Sequence, residues 1–156
     1  MSKKTSLKNT NIVENHKARF NYQIIDVIEA GLVLQGWEVK SLRAKKVNLQ
    51  EAFVYFKHSE AFLKQCHMTP LATTTHEQTD ANRSRKLLLS KHQIMHLIGH
   101  TQRQGITLVP LKLYWKANRI KVCIALAKGK KIHDKRADLK EKDRLREAQR
   151  QHRHDH

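Results

Sequence analysis

The sequence predicts an all-β fold with flanking helices: a small closed antiparallel barrel, about three short helices and a basic C-terminal tail that is disordered when free. Three observations lead there. Apolar and polar residues alternate at period two in several short stretches, turn-forming residues separate those stretches, and the large aliphatics thin out near residue 127 while the positive charge continues. The chain has 156 residues and a formal net charge of +17, from 31 Lys+Arg against 14 Asp+Glu. Of its 39 Leu, Ile, Val and Phe residues, 33 fall within 20–127, enough to build one core. The division that follows is a basic N-terminal arm at 1–19, a barrel domain at 20–128 and a helix-prone tail at 129–156.

The elements follow in chain order. Tyr22 to Ile28 reads as a strand, Glu29-Ala30-Gly31 as a bend, and Leu32-Val33-Leu34 as its continuation or partner. Trp37 to Arg43 sets Val39 and Leu42 three apart, which predicts one or two helical turns. Ala52 to Phe56 and Ala61 to Cys66 flank His58-Ser59-Glu60 and make a hairpin. A polar loop from Thr73 to Arg85 is long enough to be functional or mobile. Ser90-Lys91-His92-Gln93 is a capping-box pattern opening a helix with Ile94, Leu97 and Ile98 on one face, stopped by Gly99 or Gly105. Last, Leu111, Leu113 and Trp115 alternate with Lys112, Tyr114 and Lys116. After a turn near Ala117-Asn118, Ile120, Val122, Ile124 and Leu126 alternate with Lys121, Cys123 and Ala125. One apolar face and one partly cationic face are what a half-exposed antiparallel sheet requires.

Several chemistries are poorly served. Cys66 and Cys123 are too few for a disulfide scaffold or a Cys-based zinc module. Residues 1–11 show no secretory signal and no 18 apolar residues run together, so a cytoplasmic protein without a membrane span is expected. Gly-rich phosphate loops, G-x-S-x-G and H-E-x-x-H do not occur. Cys66 and His67 are strand neighbours that point to opposite faces, so they cannot act as nucleophile and base. His92, His96 and His100 have metal-ligand spacing, but they sit opposite Ile94 and Ile98 and read as the solvated face of the helix. No metal or other cofactor is expected. A metal-dependent nuclease or other RNA-processing enzyme is a distant third reading.

A polyanion is the partner that the charge calls for. Arg83, Arg85, Lys86 and Lys91 cluster on expected exposed positions before the capped helix. Lys112, Lys116, Arg119 and Lys121 share the polar face of the last hairpin with Tyr114. Cations with stacking aromatics are how barrel domains hold nucleic acid, and RNA read by shape fits better than DNA because no helix-turn-helix, zinc finger or basic zipper is evident. The tail differs in kind. Residues 128–156 carry 11 Lys+Arg against 6 Asp+Glu but only three of the large aliphatics, and no Gly or Pro follows Gly129. Asp138–Lys142, Glu141–Arg144 and Glu147–Arg150 pairs favour a helix, which without a partner is marginal in water. Folding against a polyanion is the expectation.

Five blocks resemble a known family. Glu29-Ala30-Gly31, Gly36 to Arg43, Arg83-Ser84-Arg85-Lys86-Leu87-Leu88-Leu89, Thr107 to Leu111, and Ala127-Lys128-Gly129-Lys130-Lys131 with His133-Asp134-Lys135-Arg136 look like the SsrA-binding protein family (small protein B, SmpB). They occur in the family's order over about residues 12–136. The resemblance implies an oligonucleotide-binding (OB)-like barrel and a non-enzymatic role in bacterial trans-translation. It implies that the barrel binds the tRNA-like domain of transfer-messenger RNA (tmRNA) and that the tail probes the vacant mRNA channel of a stalled ribosome. EF-Tu and alanyl-tRNA synthetase are implied partners through the shared RNA. By the same resemblance Asn15, Glu29 and Leu88 contact or support the RNA, joined by Arg83, Arg85, Lys86 and Lys121 from the cationic surfaces. Gly129, Lys130, Lys131, His133, Asp134, Lys135 and Arg136 match the motif for the decoding centre. The chain departs from the family at Lys45 and Ser59, where Gly is usual, and at Ala81, where Pro is common; these bear on loop shape. The alternative reading is a ribosomal or general structured-RNA-binding protein.

Overall fold

The structure, a computed structural model, describes residues 10–72, 79–103, 105–130 and 132–154. Its centre is a seven-stranded antiparallel sheet in the order β1-β8-β9-β2-β7-β5-β4. The strands are β1 (Asn11–Glu14), β2 (Tyr22–Leu32), β4 (Phe53–Lys57), β5 (Glu60–Lys64), β7 (Arg85–Leu88), β8 (Ile106–Lys116) and β9 (Arg119–Gly129). A separate two-stranded ladder joins β3 (Val47–Asn48) to β6 (His67–Met68). Three short helices flank the sheet: α1 (His16–Asn21), α2 (Gly36–Arg43) and α3 (Lys91–Thr101); α4 (Ile132–His154) follows β9. The architecture is thus mostly antiparallel sheet with four helices. The expected closure of the barrel is not reproduced as a ladder: among the described residues β1 and β4 end the sheet and no pairing joins them.

Three eleven-residue strands form the backbone of the molecule. In β8 and β9, Leu113, Val122 and Ile124 turn into the main core and are fully buried, as period-two spacing requires. Leu111, at the irregularity between Pro110 and Lys112, packs instead with Val109, Ala125 and Ala127 in a second cluster. β2 runs unbroken through Glu29-Ala30-Gly31, so that segment is strand and not bend. Its irregularity lies earlier, between Ile24 and Asp26. The β8–β9 turn is Ala117-Asn118 with φ of 49° and 62°, the left-handed pair that a tight hairpin between right-twisted strands uses. α3 opens as its sequence predicts: Ser90 Oγ accepts from the Gln93 N–H at 3.2 Å, and Gln93 Oε1 accepts from the Ser90 N–H at 3.0 Å. Gly99 lies inside this helix, which ends at Thr101.

Two ends of the chain differ from expectation. The N-terminal arm, 1–19, is not all arm. Residues 11–14 form β1 on the edge of β8, and Asn15 caps α1 through its side chain, which accepts from Ala18 N–H at 3.1 Å. The same amide donates to the Leu49 and Pro110 carbonyls at 3.1 and 3.0 Å, beside the irregularity between Pro110 and Lys112. These non-local bonds recruit a polar segment whose own sequence offers little core. The tail, expected to be disordered when free, is helical over Ile132–His154. Helix-forming residues fill it. Its start is tethered as well: the Lys130 N–H donates to the Asn21 carbonyl at 3.0 Å, and Lys130 Nζ pairs with Asp138.

The departures at Lys45 and Ser59 have a conformational consequence. Both residues have left-handed φ, 57° and 61°, so the backbone keeps a glycine's conformation with side chains that disfavour it. Such a conformation costs an L-residue roughly 1–2 kcal/mol, part of which glycine returns as chain entropy. Lys45→Gly is therefore expected to raise stability by about 0.5–1 kcal/mol in urea unfolding. A destabilised variant would contradict this account of the turn.

Candidate nucleic-acid interface

The polar face of the three long strands gathers the candidate residues by register. Glu29 on β2 lies opposite Cys123 on β9, which lies opposite Lys112 on β8; Gly31 lies opposite Lys121, and Lys121 opposite Tyr114. Lys116 and Arg119 complete the face beside the hairpin turn. The Tyr114 hydroxyl donates to Glu29 Oε2, and Lys116 Nζ reaches Glu29 Oε1 at 3.1 Å. Those two hydrogen bonds, with the nearby charges of Lys116 and Lys121, hold the exposed Glu29 carboxyl below its usual range against a small opposing effect of burial. Burial and the adjacent Glu29 push the Tyr114 phenol up, so it stays a neutral donor. Lys112 Nζ lies 5.3 Å from the centroid of the Tyr114 ring. An ionised, oriented acceptor is thus ringed by cations.

Beside this face lies a hollow of about 280 Å³ lined by Gly31, Leu88, Trp115, Arg119, Lys121 and neighbours. Leu88 is 54% exposed although apolar. A Cβ on Gly31 would stand 3.2 Å from Leu88 Cδ1 and 3.6 Å from Lys121 Nζ, so glycine lets these two side chains converge. Arg43 spans the far wall, its guanidinium 5.7 Å from the Trp115 ring centroid. The register that brings β2 to β7 at Gly31↔Leu88 is what joins the hollow to the Glu29 face.

Not every predicted residue reaches the surface. Arg85, expected among the exposed cations, is fully buried and cannot contact a ligand directly. Its Nε donates to Glu38 Oε2, its Nη1 to the Cys66 carbonyl at 2.5 Å and its Nη2 to the Ala81 carbonyl at 3.2 Å. Arg83 also turns to Glu38, at 2.5 Å from Oε1, and retains partial exposure. Sequence alone presents Arg83-Ser84-Arg85-Lys86 as one basic cluster. Strand alternation sends Arg85 inward and Lys86 outward, where Lys86 pairs with Glu60 at 3.1 Å. Asn15 is buried, its side chain bonded to Ala18, Leu49 and Pro110, so it does not reach the surface. Burial pushes the Cys66 thiol up to about 12, consistent with a structural cysteine.

Glu38 is the residue that sequence reasoning missed at this site; Tyr114, expected there as a stacking aromatic, is in addition the hydrogen-bond partner of Glu29. The available sequence signal for Glu38 is its place as the third residue of α2, the capping-box position. Burial opposes its ionisation, but Arg83, the Gln35 N–H and Arg85 outweigh that and hold the carboxyl below its ordinary 4.5. In the tail, Gly129 closes β9, Lys130 is tethered as described, Lys135 is half-buried and Arg136 is exposed. Lys131 and the side chains of His133 and Asp134 lie outside the described residues, as do 1–9 and the 73–78 part of the polar loop. His96 and His100 rings meet edge to face at 4.4 Å, and among the described residues no group of three His, Cys, Asp or Glu is arranged to hold a metal. Among them also, no helix is long and apolar enough to cross a membrane.

Lys112, Lys116, Arg119 and Lys121 around one ordered carboxylate make the surface of a polyanion-binding β protein. The model of the SmpB protein family matches residues 12–154. The SsrA-binding protein of Alkalilimnicola ehrlichii is 52% identical over 155 residues, 99% of this chain and 97% of that protein. A solved structure described as "tmRNA-SmpB: a journey to the center of the bacterial ribosome" contains a chain 41% identical to this one. That match has a TM-score of 0.66 over 78% of this chain and 86% of the other. The chain belongs to the SmpB family.

The Glu38 network has a measurable cost. Arg85→Ala leaves a buried carboxylate and two carbonyls short of a partner and is expected to cost about 3–5 kcal/mol, while the exposed Lys86→Ala stays within about 0.5 kcal/mol. Because the folded Glu38 carboxyl sits below 4.5, its stabilisation is present above that value and is lost as the pH falls below it. Urea unfolding at a series of pH values should show this loss in the parent chain and not in Glu38→Gln. A parallel acid limb in both would contradict the assignment.

Proposed function

We propose that this chain is a non-enzymatic RNA-binding adaptor of ribosome rescue. It binds the tRNA-like domain of tmRNA on the sheet face, delivers it to stalled ribosomes for trans-translation, and sets α4 in the vacant mRNA channel. The observation that carries this reading is membership of the SmpB family over nearly the whole chain, with relatives whose names speak of SsrA binding and of tmRNA with SmpB in the bacterial ribosome. Transport through the cytoplasm and encounters with EF-Tu and alanyl-tRNA synthetase through the shared RNA belong to the same reading. Curling of the sheet into an OB-like barrel does too, supported by the approach of β4 to β8.

Within that reading each side chain has work that its chemistry suits. Ionised Glu29 accepts from a ribose 2′-OH or a base N–H; Lys121 and Lys116 meet phosphates; Leu88, raised beside Gly31, gives apolar contact to a sugar or base. Lys86 and the exposed part of Arg83 extend the phosphate track. Arg85 and Asn15 support the surface from beneath it. Gly129, Lys130, Lys131, His133, Asp134, Lys135 and Arg136 serve the decoding centre, where a His can stack on a nucleobase. Tethering of Lys130 to α1 and to Asp138 supports a helix launched in a set direction from the domain.

The test is selective binding. The intact protein should bind tmRNA in preference to bulk tRNA in filter binding, and equal affinity would favour the general RNA-binding alternative. Glu29→Ala should weaken tmRNA binding on the order of tenfold, the scale of one charge-assisted hydrogen bond, with the thermal midpoint unchanged because the side chain is exposed. An unchanged dissociation constant would remove Glu29 from the contact surface.

A further inference from the structure

The β4–β5 hairpin carries aromatic rings that neither core uses. Val54, Ala61 and Leu63 turn into the core, so by alternation Phe53, Tyr55 and Phe62 stand on the opposite face, each partly exposed. None of the three belongs to either hydrophobic cluster. Tyr55 and Phe62 are cross-strand partners with ring centroids 5.5 Å apart and planes within 24°. Phe53 adjoins Tyr55 at 6.4 Å, and the Tyr55 hydroxyl donates to Ser84 Oγ at 3.1 Å, which steadies the ring. Lys64 Nζ sits 5.7 Å from the Tyr55 centroid, and Lys57 and Lys86 flank the rings on the same face.

We propose that this face is a stacking platform for an unpaired RNA nucleotide, continuous with the Glu29–Lys121 surface and resting on the RNA-binding reading of that surface. Continuity comes from register. Phe62 lies opposite Lys86 on β7, Leu88 is two residues further along the same face, and Leu88 pairs with Gly31. An aromatic pair alone would stabilise a hairpin. Three lysines around it, with Glu60 already held by Lys86, add a positive field that a hairpin does not need and a phosphate backbone does. The occupant is an unpaired base because ring faces accept any base by stacking, whereas a duplex keeps its base faces covered. A strand crossing β7 would bring one nucleotide to Leu88 and a neighbouring one to Phe62.

The experiment uses the full chain and a short unstructured probe, an octauridylate bearing 5-iodouridine, alongside tmRNA. Irradiation should crosslink the probe to Tyr55 or Phe62, located by mass spectrometry. The Tyr55→Leu/Phe62→Leu variant, which keeps apolar bulk but no π-face, should bind the probe about tenfold more weakly. Absence of probe binding, or binding with no crosslink between Phe53 and Lys64 and an unchanged variant affinity, overturns the platform. The crosslink is read on the unsubstituted chain, so a poorly folded variant does not decide the result. Retained tmRNA binding in the face of such an outcome leaves the adaptor reading standing, and loss of both RNAs ends both.

Discussion

The buried pairing of Glu38 with Arg85 is the constraint on which the rest of this structure depends. It ties the first turn of α2 to β7, and through Arg85 it reaches the carbonyls of Cys66 and Ala81. β7 is only four residues long and meets β2 at two register positions and β5 at three, a short ladder to specify alignment by itself. Arg85 supplies the missing specification, since a buried charge tolerates only the position in which its partners are met. A slip of one residue would drive Lys86 and Leu88 inward and put Arg85 on the surface. The alignment that satisfies Glu38 is the one that raises Leu88 beside Gly31 and sets Lys86 next to Phe62.

This also explains which parts were legible in the sequence. The hairpins β4–β5 and β8–β9 and the capped start of α3 rest on local patterns, alternation, turn residues and a capping box, and they lie where the sequence points. β1 and the role of Asn15 depend on partners about a hundred residues away, so nothing near them announces strand or burial. Arg85 misleads for a sharper reason. Buried and exposed arginines have the same letter, and only the strand phase of Arg85-Lys86-Leu87-Leu88 distinguishes them. The polar loop expected from Thr73 to Arg85 ends on what is the first residue of β7. At the site, Glu29, Leu88 and Lys121 do converge, whereas Tyr114 as the hydrogen-bond partner of Glu29 follows only from the pairing of β2, β9 and β8.

The charge of +17 then has a physical division. Residues 1–127 contribute 20 Lys+Arg and 8 Asp+Glu, many of them placed by the core of the sheet, and residues 128–156 contribute 11 and 6, many of them along α4. Counterion release gives both parts affinity for RNA and makes both sensitive to salt, without telling one RNA from another. In the proposed reading, discrimination belongs to groups held by the sheet: the Glu29 carboxylate kept ionised by Tyr114 and Lys116, and the exposed Leu88. α4 has no apolar stripe for its own domain, with Leu139 and Leu145 six residues apart and both exposed. In the proposed reading its docking surface is the ribosome's mRNA channel.

The central claim is that recognition of tmRNA and action on the stalled ribosome reside in these two parts separately. The direct measurement is to remove residues 134–156 and compare tmRNA affinity with peptide tagging on ribosomes stalled without a codon. The account predicts affinity nearly unchanged and tagging abolished. A parallel loss of both would show the helix to be an electrostatic anchor for the RNA and would contradict the division.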